Sequence, residues 1–390
     1  MSNRGLHNFL AEIYSGVTKQ DIDTRINIEL AKIKKAFFSP KLSSYNRKKY
    51  ITKLCFIVLS GIRVCFGLPQ IIDLIDSKKI NMQRIGWMAA VIICGNDSNQ
   101  INELMPSIEK HLADSKNENG INFTLSAISS IGGSELAEHF GPAIAEIALS
   151  TNYADFTRKK ALLALVSFYR CSQLQLIDTI AGRLTPLLND SSYGLRLSVC
   201  HLIRTIQAYQ PSSVFDVFTQ ILDSLSNFFI KNEYDYEYST SDIPCSILSA
   251  QMIRILSFNT DWNDSVVKQF ESILTNIINR FNLYRNEDGQ ISYFTVFSEI
   301  VFLSLTVPIS ENFLERICQT LIDNLNSPIL PIRYFCLDNL STFIRFFPHL
   351  GPSHQFPLQP FYEMMVSRDP ELNTRSIQLL YIIANKENGL

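Results

Sequence analysis

A repeat of about 37 residues constrains the fold of this chain more than any other feature of its sequence. Apolar side chains spaced three positions apart occur at Ile51, Leu54 and Ile57. The same trio recurs at steps of 37 or 38 residues over the first five windows and at looser steps of 40 to 53 residues after them. Nine such windows contain 27 positions, of which all but Asn259 are apolar. The windows begin at residues 51, 88, 125, 162, 200, 253, 297, 337 and 377. A period of this length predicts an all-α helical solenoid of the armadillo or HEAT type, an α-α superhelix in which neighbouring helix pairs stack to bury their apolar stripes.

The composition agrees with helices joined by short turns. Glycine and proline are sparse, at 15 each in 390 residues, and no segment shows the alternation of apolar and polar residues that is typical of a strand. Apolar residues make up 46% and charged residues 18%, as in a globular chain rather than a disordered one. At this length we expect a repeat array or several domains instead of one compact core.

The repeat also predicts how the chain is organised as one trunk solenoid over 1–390. The predicted segments are N-terminal capping helices in 1–40, regular repeats in 41–230, an irregular acidic loop in 231–243 and further repeats in 244–390. Thr18 and Asp21 form a capping-box pattern that opens the second capping helix. The acidic loop is rich in tyrosine and is expected to be a surface insertion, with a docking site as the alternative.

Residues that carry catalytic or metal chemistry are not grouped in this sequence. The eight cysteines are scattered, form no CxxC pair and are typical of small core residues in a reducing compartment. None of the six histidines has a metal-ligand pattern around it, and neither a phosphate-binding glycine loop nor a GxSxG motif is found. We therefore expect no metal, no cofactor and no enzyme activity. A solenoid with these properties is most often an interaction scaffold.

The sequence also lacks the signals of a secreted or membrane-spanning chain. Its first residues have no apolar signal-peptide core. The longest apolar stretch, 54–68, is interrupted by Arg63 and is too short to span a bilayer. We expect a soluble, cytosolic protein that can visit a membrane surface.

Positive charge is concentrated at the beginning of an otherwise slightly acidic chain. The formal net charge is −2, yet the first 60 residues hold eleven Lys and Arg against four acids. The densest stretch, YNRKKYITK, contains Arg47, Lys48, Lys49 and Lys53. Asymmetry of this kind indicates an anionic partner at one end, although a solvated helical face is the simpler alternative. Nucleic acid is disfavoured, because few aromatic residues interleave with these cations.

Eight short segments carry a resemblance to a known family. In chain order they are RGLHNFLAEI (4–13), RINIELAKIKKAF (25–37), YNRKKYITKLCFIVLSG (45–61), QRIGWMAAVI (83–92), SELAEHF (134–140), RKKALLALVSFYR (158–170), PLLND (186–190) and RSIQLLYIIANK (375–386). Together they resemble the large-chain adaptins, and most of all the alpha adaptin trunk of the plasma-membrane clathrin adaptor complex. The resemblance implies a large subunit that assembles with a beta-type large chain, a medium chain and a small chain in clathrin-mediated endocytosis. Large adaptins continue with a hinge and an ear domain, neither of which is expected in these 390 residues.

The resemblance also implies a lipid site in the basic stretch. In the family, this corner of the alpha trunk binds the headgroup of phosphatidylinositol 4,5-bisphosphate. The matching positions of this chain are Arg4, Arg47, Lys48, Lys49, Tyr50 and Lys53. Thr24 and Ile28 stand where the family usually has lysines, and Tyr14 stands where alpha adaptins usually have an arginine that helps hold acidic dileucine signals against the small chain. We therefore expect a reduced lipid site, and this side of the chain departs from the usual cargo contact.

A reduced basic site predicts weak binding by itself. Each Lys or Arg near an anionic surface contributes about 1 kcal/mol, so five give about 5 kcal/mol, near a millimolar dissociation constant. Such a site becomes effective when other chains of the complex bind at the same time, because its contact is then intramolecular. The expected location is peripheral, on the cytosolic face of the plasma membrane. Two alternatives remain: a gamma-type adaptin trunk at the trans-Golgi network or endosomes, and a generic helical-repeat scaffold such as a transport receptor or a phosphatase subunit.

Overall fold

The fold is described from a computed structural model. It covers residues 4–16, 18–95, 98–172, 182–210, 217–241, 243–259, 262–280, 286–350 and 358–384. Within these ranges the chain is helical and contains no β-strand, only an isolated bridge between Thr240 and Ile243. This confirms the prediction of an all-α fold. The chain divides into two compact units, Met1–Ile180 and Ala181–Leu390.

The first unit alternates between two helical layers. Its helices are α1 Arg4–Tyr14, α2 Lys19–Phe37, α3 Ser44–Leu59, α4 Leu68–Ile75, α5 Ile80–Ala89, α6 Ser98–Ala113, α7 Glu118–Ile131, α8 Ser134–Leu149 and α9 Asp155–Ser172. A π-helical turn, Ala90–Cys94, continues α5. Helices α3, α5, α7 and α9 pack one against the next, while α4 packs on α6 and α8 packs on α9. This is the stacking of helix pairs that the repeat predicts.

Helices α1 and α2 precede the repeats and pack on α3. The N-cap residue of α2 is Thr18, whose hydroxyl accepts a hydrogen bond from the Asp21 N–H, and the Asp21 carboxylate accepts one from the Thr18 N–H. The predicted capping box is therefore present. The apolar face of α2, with Ile26 and Ile33, is buried.

The second unit continues the same alternation. Its helices are α10 Tyr193–Tyr209, α11 Phe218–Ser226, α12 Ser246–Leu256, α13 Asp264–Arg280, α14 Glu287–Ser304, α15 Glu311–Asp323, α16 Leu330–Phe346, α17 Leu358–Met365 and α18 Pro370–Ile383. Helices α10, α12, α14, α16 and α18 pack one against the next. The acidic loop before α12 contains a short 3₁₀ turn, Tyr236–Tyr238, and lies within this second unit.

Most of the repeated apolar positions form the core, and the clearest departures are in α5 and α18. The three window residues are buried in α3, α9, α10, α14 and α16. In α5, however, Met88 is 44% exposed and Trp87 is buried in its place. The buried residues here include Trp87, Ala90 and Cys94, spaced three and then four positions apart, whereas the window assumes two steps of three. In α18 the buried residues are Leu372, Ser376, Leu379 and Ile383. Ser376 and Leu379 lie one position before the window residues, while Ile383 is buried as the window predicts.

Candidate lipid headgroup site

The basic stretch forms the first turns of α3. The helix begins after Ser43, whose hydroxyl accepts a hydrogen bond from the Asn46 N–H at 3.2 Å. Consecutive residues of a helix point about 100° apart. Arg47, Lys48 and Lys49 therefore point in different directions, and the structure gives each cation its own surroundings.

Lys48 and Lys49 face a shallow cleft between α1 and α3, which Gly5 and Tyr45 also line. The Lys49 ammonium donates to Asn46 Oδ1 at 3.1 Å and lies 4.5 Å from the centroid of the Tyr50 ring. Among the described residues, neither lysine has a carboxylate partner. Their charges are thus available to an anion.

The cleft depends on a close approach of α1 to a lysine stem. A Cβ atom added to Gly5 would lie 2.7 Å from Cδ of Lys49, which is closer than real Cβ atoms come to a neighbour. Glycine at this position therefore lets the aliphatic part of Lys49 lie directly on α1.

Arg47 turns toward α4 instead of the cleft. Its Nη2 lies 3.1 Å from Oδ2 of Asp73, and the side chain is only 23% exposed. Its Nε is buried and has no hydrogen-bond partner. Much of the Arg47 charge is therefore balanced within the protein.

Lys53 is buried, unlike Lys48 and Lys49. Its residue is 6% exposed, its Nζ lies 2.5 Å from Oε1 of the buried Glu29, and it stands 4.9 Å from the centroid of the Phe9 ring. The ion pair fastens α3 to α2 and keeps this ammonium away from solvent. The sequence held a signal for this pair, because Glu29 lies between Ile26 and Ile33 on the apolar face of α2 and so requires a buried cation.

The remaining predicted positions are Tyr50 and Arg4. Tyr50 is half-buried, with its ring edge-on to Phe37 at a centroid distance of 6.2 Å. Arg4 begins α1, and its side chain lies outside the described residues. Ile28 is 65% exposed and Tyr14 is 76% exposed, so two surface positions where the resemblance implies a basic side chain carry no charge.

No group of three or more His, Cys, Asp or Glu side chains in the described ranges could hold a metal ion. No described helix is long and apolar enough to cross a membrane.

The stacked layers define a class, the helical-repeat solenoids, and known structures share this fold. A chain in a homology model of an AP-3 complex, in an intermediate open conformation, has a TM-score of 0.60 and 16% sequence identity. That similarity covers 89% of this chain and 56% of the other. A crystal structure of a Kap121p mutant has a TM-score of 0.54 and 13% identity, covering 98% of this chain and 40% of the other.

The sequence identifies the family within this class. The model of the adaptin N-terminal region matches residues 23–389, so this chain belongs to the adaptin family. The AP-2 complex subunit alpha of Schizosaccharomyces pombe is 25% identical over 395 residues, which covers 99% of this chain and 44% of that protein. The AP-2 complex subunit alpha-1 of Arabidopsis thaliana is 24% identical over 399 residues, covering 99% and 38%. The resemblance to large-chain adaptins close to the alpha type is confirmed, and the chain spans less than half the length of these relatives.

Proposed function

We propose that this chain is the alpha-type trunk of a heterotetrameric clathrin adaptor in endocytosis. The observation that carries the proposal is the similarity to AP-2 alpha subunits over 99% of the chain. Its partners would be a beta-type large chain, a medium chain and a small chain. The complex would act at the cytosolic face of the plasma membrane in clathrin-coated pits.

Within this proposal, Lys48 and Lys49 contact the phosphates of a phosphatidylinositol 4,5-bisphosphate headgroup. Two unpaired ammonium groups contribute about 2 kcal/mol, which corresponds to a dissociation constant weaker than millimolar. Arg47 and Lys53 contribute less than the sequence suggests, because each faces a carboxylate of the protein. Stable recruitment then requires the other chains and their cargo to bind at the same time.

Sorting signals would reach this complex through the small chain. The exposed Tyr14 carries no charge toward an acidic signal. We therefore expect acidic dileucine signals to gain little from this large chain.

The subunit assignment is tested by co-expression with two partner sets. One set contains the beta, medium and small chains of the plasma-membrane adaptor, and the other contains those of the gamma-type adaptor. Size-exclusion chromatography should recover a four-chain complex with the first set. Assembly with the second set alone would establish the gamma-type alternative, and assembly with neither would favour a generic scaffold.

The lipid contact is tested by sedimenting the assembled complex with liposomes. The vesicles contain phosphatidylinositol 4,5-bisphosphate, phosphatidylinositol 4-phosphate or phosphatidylserine at matched charge. Lys48→Glu with Lys49→Glu should abolish a preference for the bisphosphate. The control pair, Lys231→Glu with Lys268→Glu, makes the same change in net charge at exposed positions of the second unit and should keep that preference. Equal losses in both variants would reduce the contact to overall charge.

A further inference from the structure

A groove of about 270 Å³ lies between α5 and α7 in the first unit and shares no residue with the cleft of the lipid site. Its walls are mainly apolar and include Trp87, Met88, Val91, Phe123 and Ala127. Met88 is exposed at the groove, while Trp87 is buried. A groove of this size is smaller than a site for a drug-sized ligand and suits a single large side chain.

The walls of this groove favour an aromatic side chain over an aliphatic one. The thioether of Met88 and the half-buried ring of Phe123 both make favourable contacts with an aromatic ring. The guanidinium of Arg84, which also lines the groove, can stack on the face of such a ring. An aliphatic side chain would fill the same space without these contacts.

Arg84 also brings a positive charge without a counter-ion to the groove. Its side chain is exposed, and within the described part of the chain it forms no salt bridge and no hydrogen bond. An arginine keeps its charge at accessible pH, so the wall that Arg84 forms is positive and is available to an anion.

A second positive charge reaches the groove from α9. The Lys160 ammonium donates to the hydroxyl of Ser126, which lines the groove, and lies 3.5 Å from the carbonyl oxygen of Asn122. The ammonium groups of Lys159 and Lys160 lie 4.9 and 5.1 Å from the centroid of the Phe156 ring. Burial lowers the pKa of Lys160, and the neighbouring Lys159 charge lowers it further. Neither ammonium has a carboxylate partner in the described ranges, so a nearby anion would offset their repulsion.

The helices around the groove carry few acids to oppose these charges. Helices α5, α7 and α9, with the π-helical turn after α5, hold five Lys or Arg against two acids. Both acids are bound within the protein. Glu118 accepts a hydrogen bond from the Ala154 N–H at 3.2 Å, and Asp155 pairs with Arg158 at 3.2 Å. Charge complementarity therefore indicates an acidic partner for this surface.

We propose that this groove binds an acidic segment of a partner protein and receives one aromatic side chain from it. The ring enters between α5 and α7, and carboxylates beside it in the segment face Arg84 and Lys160. Helical-repeat proteins commonly bind extended segments on their layered surfaces. A compact anion such as inorganic phosphate fits less well, because it would contact the cations and leave the apolar walls empty.

The direct test titrates the full chain with capped five-residue peptides and with inorganic phosphate, followed by saturation-transfer NMR. The peptide EDFDE carries the acids and the ring, QNFNQ lacks the charges, and EDADE lacks the ring. We expect saturable binding of EDFDE with a dissociation constant of about a millimolar, and at least fivefold weaker binding of the other two peptides and of phosphate. A smaller difference for either control peptide, tighter binding of phosphate, or no saturable binding of EDFDE would each overturn the proposal.

Two variants place this binding in the groove. Arg84→Gln removes the charge without a counter-ion, and Ser130→Phe adds a ring at a residue that lines the groove. Both positions are exposed, so neither change should disturb packing. Each variant should weaken EDFDE at least fivefold. Lys116→Gln, which removes an exposed charge of the same unit outside the groove, should change it less than twofold. Unchanged binding in either groove variant, or an equal loss in all three, would exclude this site.

Discussion

The two units treat a buried cation in opposite ways. In the first unit, Lys53 of α3 is buried together with Glu29 of α2, and the pair is closed at 2.5 Å. In the second unit, Arg196 of α10 is buried against two aromatic rings with no carboxylate beside it. A paired charge fastens helices together and is no longer available to a ligand. In the described part of the chain, the unpaired charge is balanced in part by the two rings.

A third buried base, the imidazole of His111, avoids an unpaired charge in another way. His111 of α6 has its Nε2 3.1 Å from the carbonyl oxygen of Ile75 and its ring 5.8 Å from that of Trp87. Burial lowers the pKa of this histidine below its ordinary value, despite the opposing charge of Asp76. The imidazole thus loses its proton, which the guanidinium of Arg196 cannot do.

The largest expected effect on the free energy of unfolding comes from breaking the ion pair of Lys53 and Glu29. Glu29→Gln leaves the Lys53 ammonium buried without a counter-ion and should lower the free energy of unfolding by about 3–5 kcal/mol. Urea denaturation followed by circular dichroism measures the loss. Adding Lys53→Met to Glu29→Gln should restore most of the stability, because the unpaired charge is then gone. A loss below about 1 kcal/mol in the single variant would show that the pair contributes little.

Arg196→Met should change the free energy of unfolding less than removing one partner of a buried ion pair does. The variant removes an uncompensated charge and keeps an apolar stem between the rings, so the unfolding free energy of the ligand-free chain should stay within about 1 kcal/mol of the parent. The same urea titration applies. Arg204→Met, on the same helix, is the control, because it removes a hydrogen bond of 2.8 Å to Gln251. A large loss at Arg196 would mean that its charge is balanced within the protein.

The third prediction compares the pH dependence of stability with and without His111. Because the pKa of His111 is lowered in the folded state, the unfolded chain takes up a proton first as pH falls below about 6.5. The His111 contribution is therefore fully present above this pH and is lost as pH decreases toward the folded-state pKa. Thermal unfolding between about pH 7.5 and 5 should show a smaller decline in His111→Asn than in the parent. An identical decline in both would assign the pH dependence to other groups.

The smallest effect on stability is expected at the cleft of the lipid site. In Gly5→Ala the new Cβ meets the flexible stem of Lys49, which can move, so the free energy of unfolding should change by less than about 1 kcal/mol. Displacing Lys49 should nevertheless weaken bisphosphate liposome binding of the assembled complex about twofold. If Gly5→Ala binds these liposomes as the parent does, the position of Lys49 on α1 does not matter for the contact.

Several features could be predicted from the sequence because they depend on local spacing. The repeated trio places Ile51, Leu54 and Ile57 on one buried face, and the capping box at Thr18 needs only residues three positions apart. The π-helical turn after Ala89 could not be predicted in this way, because it depends on how α5 fits its neighbours. The packing of α5 also decided that Trp87 is buried and Met88 exposed.

The candidate sites show the same division between features that depend on neighbouring positions and features that depend on packing. The sequence by itself determined a helical solenoid with basic residues at its beginning, because periodicity and charge are properties of neighbouring positions. Its family followed from the resemblance of eight short segments and from the match to the adaptin N-terminal region. Only the tertiary structure decided which charges remain available, since the fate of a charge depends on what other helices bring beside it. It paired Lys53 with Glu29 and Arg47 with Asp73, and it left the charges of Lys48, Lys49 and Arg196 without a carboxylate partner among the described residues.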